Sequence, residues 1–149
     1  IGEIAMIYSK GAEGQGVVME TAVEEGLTGY LNENEFRQIA HNLISNSIKS
    51  VIPGIEGRIR ISGRESGNKA LIEFQDNGKG MSREELTRAM EPFYTKSING
   101  IGIGLAIVKK LVEQNGGLME MVSSCGEGTC VRLSFYRRVE DYEENISRG

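Results

Sequence analysis

Residues 34–51 carry the periodicity of an amphipathic helix. Pro53 and Gly54 follow and end the pattern, because proline does not continue a helix. A helix with one apolar face has to bury that face against a second layer of structure. The run therefore predicts one layer of the fold, and the rest of the chain must supply the other. Its apolar residues recur at three- and four-residue spacing: Phe36, Ile39, Ala40, Leu43, Ile44, Ile48 and Val51.

The second layer is predicted to be a sheet, because the other apolar segments are short and some, such as Arg58–Ile61, alternate with polar residues. Glycine-bearing turns separate the segments, for example Gly14-Gln15-Gly16 and Ser66-Gly67-Asn68. Six segments are predicted strands: Ile4–Tyr8, Val17–Val23, Arg58–Ile61, Ala70–Phe74, Leu118–Ser124 and Thr129–Tyr136.

Two shorter helices complete the pattern. Ser82 can cap one of them, with Glu85 as the other half of a capping box, and this helix is predicted to end near Met90. The other spans Gly104–Asn115 and ends at Gly116-Gly117. This order predicts an α+β fold, a two-layer α/β sandwich in which three helices cover one face of a mixed, mostly antiparallel sheet of about five strands.

Composition and charge exclude several classes of function. The formal net charge of -4 disfavours a general nucleic-acid-binding protein, which needs a dense cationic surface. No apolar run approaches the length of a membrane span, and we expect no signal peptide because the basic, apolar and small-residue pattern of one is missing from the sequence. The two cysteines are predicted to be reduced thiols of a cytoplasmic protein. We therefore expect a single cytoplasmic domain over residues 1–149 that contacts neither nucleic acid nor membrane, either free or as the cytoplasmic part of a membrane-anchored protein.

The long helix has a polar face. Asn42 and Asn46 are four residues apart and share that face, and Lys49 follows one turn later. An amide oxygen suits magnesium, and an ion that already holds nucleotide phosphates and waters needs only one or two protein ligands. Asn46 is thus the candidate magnesium ligand and Lys49 a candidate phosphate contact. Ordinary surface asparagines explain this segment equally well when it is taken alone.

Asp76 is predicted to end a strand, and it is followed by Gly78, Gly80 and Met81. The glycines would let the backbone come close to a ligand. A carboxylate only accepts hydrogen bonds, the exocyclic amine of adenine only donates them, and guanine presents a carbonyl instead. Asp76 is therefore a candidate for preferring ATP over GTP by roughly ten- to hundredfold. The alternative is an Asp-Asn-Gly turn that binds nothing.

Residues 91–105 combine a polar stretch with a glycine-rich entry to a helix. Phe93, Thr95 and Lys96 lie in the polar stretch, which could form a mobile lid, although taken alone it is equally an ordinary loop. The helix entry would offer backbone amides and the positive end of a helix dipole to an anion. Neither Gly-x-Gly-x-x-Gly after a buried strand nor Gly-Lys-Ser/Thr is present, so dinucleotide-fold and P-loop interpretations fail. The candidate phosphate-binding residues are Gly100, Ile101, Gly102, Ile103, Gly104 and Leu105.

Taken together and in this order, these segments resemble the Bergerat-fold ATPase superfamily, which contains DNA gyrase, a heat-shock chaperone, the sensor histidine kinases and a mismatch-repair protein. The resemblance covers about residues 16–137 and includes Gly126–Thr129 as the family's terminal glycine turn. The matching motifs are an asparagine box at Asn42–Asn46, a first glycine box at Asp76–Gly80, a phenylalanine box at Pro92–Tyr94 and a second glycine box at Gly100–Leu105.

The residue at position 42 distinguishes the branches of that superfamily. Its ATPases and protein-serine kinases carry a glutamate there as a general base, whereas this chain has Asn42. An amide does not take up a proton at neutral pH, so Asn42 cannot act as that base. A histidine imidazole is already a nucleophile and depends less on a general base. The run Gly104–Gly117 is also similar to the histidine-kinase branch. The resemblance thus implies the ATP-binding catalytic domain of a sensor histidine kinase.

Cofactors, partners and roles follow from the same resemblance. ATP and Mg²⁺ are the implied cofactors, and the implied partners are the protein's own dimerisation helices, which carry the phosphoaccepting histidine, and a response regulator. The chain begins at Ile1 rather than Met, and we expect those helices to be absent from it. The implied roles are magnesium coordination by Asn46, phosphate binding by Lys49 and the amides around Gly102 and Gly104, adenine recognition by Asp76 and support of the adenine pocket by Thr129.

Two other functions fit parts of this sequence, and two residues of the long helix need separate interpretation. A lid unlike that of many relatives also fits a regulatory module that binds nucleotide without transferring phosphate. An anti-sigma-type serine kinase has a similar size and fold, but Asn42 argues against it. His41, the single histidine, lies inside the asparagine box, and we expect a structural or pocket-rim imidazole rather than the phosphoacceptor. Ser50 stands where many relatives carry an aromatic residue.

Overall fold

The computed structural model of the chain describes residues 2–91 and 104–137. Within these ranges, no helix combines the length and the apolarity that crossing a lipid bilayer requires. The elements in chain order are α1 (Gly2–Glu13), β1 (Val17–Val23), α2 (Glu33–Lys49), β2 (Gly57–Ser66), β3 (Lys69–Asp76), α3 (Arg83–Arg88), α4 (Gly104–Gln114), β4 (Leu118–Ser124) and β5 (Gly128–Tyr136).

The five strands form one sheet in the order β1-β2-β3-β5-β4. β1 runs parallel to β2, with Val17 opposite Gly57, and the other neighbouring pairs are antiparallel. β5, the last strand in the described chain, lies between β3 and β4. This arrangement confirms the predicted α+β fold with a mixed, mostly antiparallel sheet.

The core lies between the helices and one face of the sheet. In β2, Ile59 and Ile61 are buried while Arg58 and Arg60 are exposed, as expected for a strand with one covered face. The other face is exposed and mixes charged side chains with apolar ones such as Val122, and Arg132 and Glu73 form an ion pair on it at 2.8 Å. The helices contribute to this single core Ala12 from α1, Phe36, Ile39, Ala40, Leu43 and Ile44 from α2, and Val108 and Val112 from α4.

The first predicted strand, Ile4–Tyr8, is wrong, because the segment belongs to helix α1. A short apolar run does not by itself distinguish a strand from a helix that packs on a sheet. The helix is fixed by long-range packing. Ala12, near the end of α1, belongs to the core and is 1% exposed. Tyr8 of the same helix is partly buried and packs against that core.

Capping residues set the limits of α2 and α3. Asn32 accepts hydrogen bonds from the backbone amides of Asn34 and Glu35, so α2 begins at Glu33. Ser82 and Glu85 form the predicted capping box of α3. That helix ends at Arg88, slightly earlier than predicted.

Candidate functional site

Asp76, the last residue of β3, lies at the centre of a hydrogen-bonded network. Its Oδ2 atom accepts a bond of 2.8 Å from the Ser47 hydroxyl on α2. Its Oδ1 atom accepts bonds of 2.9 Å from the Gly78 amide and 3.2 Å from the Thr129 amide of β5. The side chain is thus oriented by two segments that are distant in sequence, α2 and β5, and by the residue two positions after it. A carboxylate offers about four lone-pair positions, so three bonds from the described residues leave room for one further donor.

Ser47 was not predicted as a site residue. Its exposed fraction is 7%, and it is the one polar residue that the described part of the chain buries. A signal was present in the sequence, since position 47 follows Leu43 and Ile44 by four and three residues and so falls on the apolar face of α2. A serine on such a face needs a buried partner, and Asp76 is that partner.

Gly78 packs directly on the end of α2. A Cβ atom at this position would lie 2.0 Å from the Ser50 hydroxyl oxygen and 2.7 Å from the Ser50 carbonyl oxygen. The next residue, Lys79, donates its backbone N–H to that carbonyl at 2.8 Å. The close approach that the structure shows at Gly78 is thus to α2, and the approach of this backbone to a ligand stays a prediction. The contact with α2 places the segment after Asp76 against the C-cap of that helix.

Gly80 and Gly128 close the opposite side of the network. Both have a positive φ, 66° and 95°. A Cβ at Gly80 would lie 1.9 Å from the Ser124 carbonyl oxygen, and one at Gly128 would lie 2.0 Å from the Asp76 carbonyl oxygen. The β4–β5 turn, Ser124–Gly128, therefore packs on the segment that follows Asp76 with no space for a side chain at either glycine.

Ser123 links Met81 to Thr129 and was also missed in the sequence. Its hydroxyl oxygen accepts the Met81 amide at 2.8 Å and lies 2.8 Å from the Thr129 hydroxyl oxygen. Nothing in the alternation of β4 distinguishes Ser123 from an ordinary strand serine. Its role depends on the register that places it opposite Thr129.

Asn42 and Asn46 lie beside the start of α4. A Cβ atom at Gly104 would lie 3.4 Å from Asn42 Oδ1 and 3.7 Å from both side-chain heteroatoms of Asn46. The Asn42 amide nitrogen donates to the Gln38 carbonyl at 3.0 Å, which directs the oxygen toward α4. The predicted polar face of α2 and the predicted anion-binding helix end are therefore adjacent. Leu105, the next residue, packs against the core.

The remaining predicted site residues are Lys49 and a group outside the described ranges. Lys49 lies in the last turn of α2, is exposed, and forms no hydrogen bond or ion pair with another predicted site residue in the described part of the chain. Seven predicted residues lie outside the described ranges: Phe93, Thr95, Lys96, Gly100, Ile101, Gly102 and Ile103.

His41 is exposed and faces away from this network, toward α1. Its Nδ1 atom is hydrogen-bonded to the Tyr8 hydroxyl, and the two ring centroids are 5.6 Å apart. Partial burial raises the pKa of Tyr8 above its ordinary value. Of the two expectations for this histidine, the structure supports the structural one, a contact between α1 and α2.

Two titratable side chains on β5 have raised pKa values. Burial is the main reason that the pKa of the Cys130 thiol is raised, and the nearby Glu73 carboxylate adds to the effect. The hydrogen bond from Arg132 to Glu73 raises the pKa of the arginine. Cys130 therefore keeps its proton at neutral pH. Both cysteines are free thiols, as predicted, but Cys125 is exposed and only Cys130 is partly buried.

Comparison with known proteins gives a consistent result. Residues 31–139 match the model of the histidine kinase-, DNA gyrase B- and HSP90-like ATPase family. Sporulation kinase B of Bacillus subtilis is 32% identical over 133 residues, which are 89% of this chain and 31% of that protein. The sensor histidine kinase ZraS of Klebsiella oxytoca is 32% identical over 113 residues, which are 75% of this chain and 24% of that protein. The chain thus spans about a third or less of these relatives.

Solved structures show the same fold. The catalytic domain of the histidine kinase ThkA superposes with a TM-score of 0.79 at 19% identity, covering 93% of this chain and 90% of that one. Full-length ShkA in complex with AMPPNP gives a TM-score of 0.78 at 25% identity, covering 91% of this chain and 29% of that one. Because the family model matches most of the chain and the fold agrees with it, this chain belongs to the histidine kinase-, DNA gyrase B- and HSP90-like ATPase family.

Proposed function

We propose that this chain is the ATP-binding catalytic domain of a two-component sensor histidine kinase. It would transfer the γ-phosphate of ATP to a histidine on a separate dimerisation region, from which a response regulator receives it. The observation that carries the proposal is the position of Asn42 and Asn46 beside Gly104, because it joins the amide face of α2 to the start of α4. Sensor histidine kinases among the relatives support the same assignment.

The described residues fit a magnesium nucleotide in two respects. Asp76 has acceptor capacity for one further donor, which matches the exocyclic amine of adenine. Asn46 offers an amide oxygen of the kind that magnesium takes alongside phosphates and waters. When bound, the ion would neutralise charge on the phosphates. Thr129 would hold Asp76 in place, while Lys49 and the N-terminal amides of α4 would bind phosphate.

Asn42 argues against the serine-kinase alternative. Its amide donates to the Gln38 carbonyl and presents only Oδ1 toward α4, so no group at this position can remove a proton from a serine hydroxyl. A histidine acceptor does not need that step. The residues of this chain would then act by orientation and by charge neutralisation.

Binding is tested by calorimetric titration with magnesium and either ATP or GTP. We expect saturable ATP binding, with GTP weaker by roughly ten- to hundredfold. Asp76→Asn should lose a similar amount of ATP affinity. The NH2 group of asparagine is a donor, so it cannot accept a hydrogen bond from the adenine amine as a carboxylate oxygen does. If the wild-type chain does not bind ATP, the kinase assignment is wrong.

Transfer is tested by supplying dimerisation helices from a sensor kinase together with ATP labelled on the γ-phosphate. We expect label on the helices that is lost in acid and kept in base, as for phosphohistidine. Acid-stable label would indicate the serine-kinase alternative. ATP binding without transfer to any supplied acceptor would indicate the regulatory module.

A further inference from the structure

The two helices beside the predicted phosphate site are also joined at their far ends. Asn115, which directly follows α4, donates its side-chain amide to Glu35 Oε2 at 2.6 Å and to the Leu111 carbonyl at 2.7 Å. Glu35 lies in the first turn of α2, and both side chains are partly buried. In the described ranges, this is the one side-chain-to-side-chain hydrogen bond between the α2 and α4 segments.

The interval between the two contact points has the same length on α2 and on α4. Eleven positions separate Glu35 from Asn46, and eleven separate Gly104 from Asn115. At 1.5 Å per residue, each interval is about 16 Å long. Because Glu35 meets Asn115 and Asn46 lies beside Gly104, the helices are antiparallel and in contact at both ends of this interval.

The contacts between these ends are apolar. Val108 and Val112 of α4 are fully buried, as is Ile39 of α2. Burial of apolar surface is not directional, so it favours contact between the helices without fixing their axial position. A hydrogen bond has a narrow range of length and angle and does fix it. Axial shifts of 1–2 Å between packed helices are a common mode of motion, and the bond at Asn115 opposes them.

We infer that Glu35 and Asn115 are positioning residues for the nucleotide site. Their bond holds α4 at the axial position along α2 where the N-terminal amides of α4 and the side chain of Asn46 meet one magnesium nucleotide. The inference rests on the proposed function. It adds that the geometry of the phosphate end is set about 16 Å away from it.

The test measures the Kd of ATP with magnesium and again with a chelator, and takes the ratio of the two. Adenine recognition and any change in the folded fraction affect both values equally and cancel in the ratio. The axial position of α4 does not cancel, because the ion must contact Asn46 and the phosphates together. We expect Asn115→Ala and Glu35→Ala each to reduce the magnesium enhancement about fivefold. The double variant should lose no more than either single one, because the two residues share one bond.

Matched variants separate positioning from general effects. Glu33→Ala removes a carboxylate from the same helix turn, where it pairs with Arg37 at 2.9 Å, and Gln114→Ala truncates the exposed last residue of α4. Both should keep the wild-type ratio. Glu35→Gln keeps an acceptor for Asn115 and should keep most of the magnesium enhancement.

The outcomes for this inference and for the proposed function are distinct. If the wild-type chain binds ATP with a magnesium enhancement that Asn115→Ala and Glu35→Ala retain, the positioning role is wrong and the nucleotide site stands. If the wild-type chain shows no ATP binding, the proposed function fails and the positioning role fails with it.

Discussion

At Gly128 the absence of one methyl group decides whether the turn can pack against Asp76. A Cβ there would lie 2.0 Å from the Asp76 carbonyl oxygen, and φ is 95°. Gly126 lies in the same turn with φ of 77°, and a Cβ there would meet nothing within 4 Å. Gly126 is therefore required only for its positive φ, whereas Gly128 is required both for its positive φ and because there is no space for a side chain.

We expect Gly128→Ala to lower the free energy of unfolding by at least about 3 kcal/mol, because backbone strain and a backbone clash add. Gly126→Ala should cost about 1 kcal/mol, from strain alone. Urea denaturation of the two variants beside the wild-type chain measures the difference. Equal losses would mean that the turn moves away from Asp76 at little cost.

Individual side chains also show how far sequence reasoning reaches. Asp76, Gly78 and Gly80 were identified because each has a local signature, a carboxylate at a strand end followed by glycines. Ser47 and Ser123 were missed because each acts through a partner that only the folded chain brings close. The roles assigned to the predicted residues remain proposals.

At the scale of elements, local chemistry sets where helices begin. Asn32 Oδ1 accepts the amides of Asn34 and Glu35 at 2.9 and 3.3 Å. This cap fixes the first turn of α2, which also contains Glu35, the partner of Asn115. The start of α2 is therefore linked to the position of α4.

We expect Asn32→Ala to lower the free energy of unfolding by about 1 kcal/mol, since two amides lose their acceptor. Asn32→Asp should retain most of the stability, because a carboxylate accepts the same bonds and suits the positive end of the helix. Thermal and urea unfolding of both variants test this. A loss in the aspartate variant as large as in the alanine variant would contradict the capping role.

The elements that were predicted well are those with long periodic patterns or local end signals. β4 was predicted with its observed limits, and α2 within two residues of them. α1 was missed because its apolar run fits either a strand or a helix, and the choice is made by packing against β1 and α2. β2 and β3 are longer than predicted, since pairing between them continues through polar residues such as Glu65 and Lys69.

At the scale of the whole molecule, the order of strands was not predictable from the sequence. The parallel pairing of β1 with β2 joins Val17–Val23 to Gly57–Gly63 across the whole of α2. No local signal specifies a pairing of that kind. The placement of β5 between β3 and β4 is likewise a property of the sheet, and it brings Thr129 to Asp76.

Nucleotide binding should stabilise the folded chain as a unit. At ATP concentrations of 100 times Kd with magnesium, we expect the free energy of unfolding to rise by about 2.7 kcal/mol. GTP at the same concentration, or ATP with Asp76→Asn, should raise it by only about 1.4 kcal/mol if the affinity is tenfold lower and by about 0.4 kcal/mol if it is hundredfold lower. Equal shifts of Tm with ATP and GTP would place the bound nucleotide somewhere other than against Asp76.

The hydrogen bonds to Asp76 determine when, during synthesis of the chain, this part of the site can form. The carboxylate takes one donor from 29 positions earlier and one from 53 positions later. During synthesis, Ser47 and Asp76 leave the ribosome long before Thr129 does, and the strand between β3 and β4 is still missing at that moment. A chain that ends before β5 lacks the Thr129 bond to Asp76, so we expect the proposed kinase to bind ATP fully only after β5 has been made.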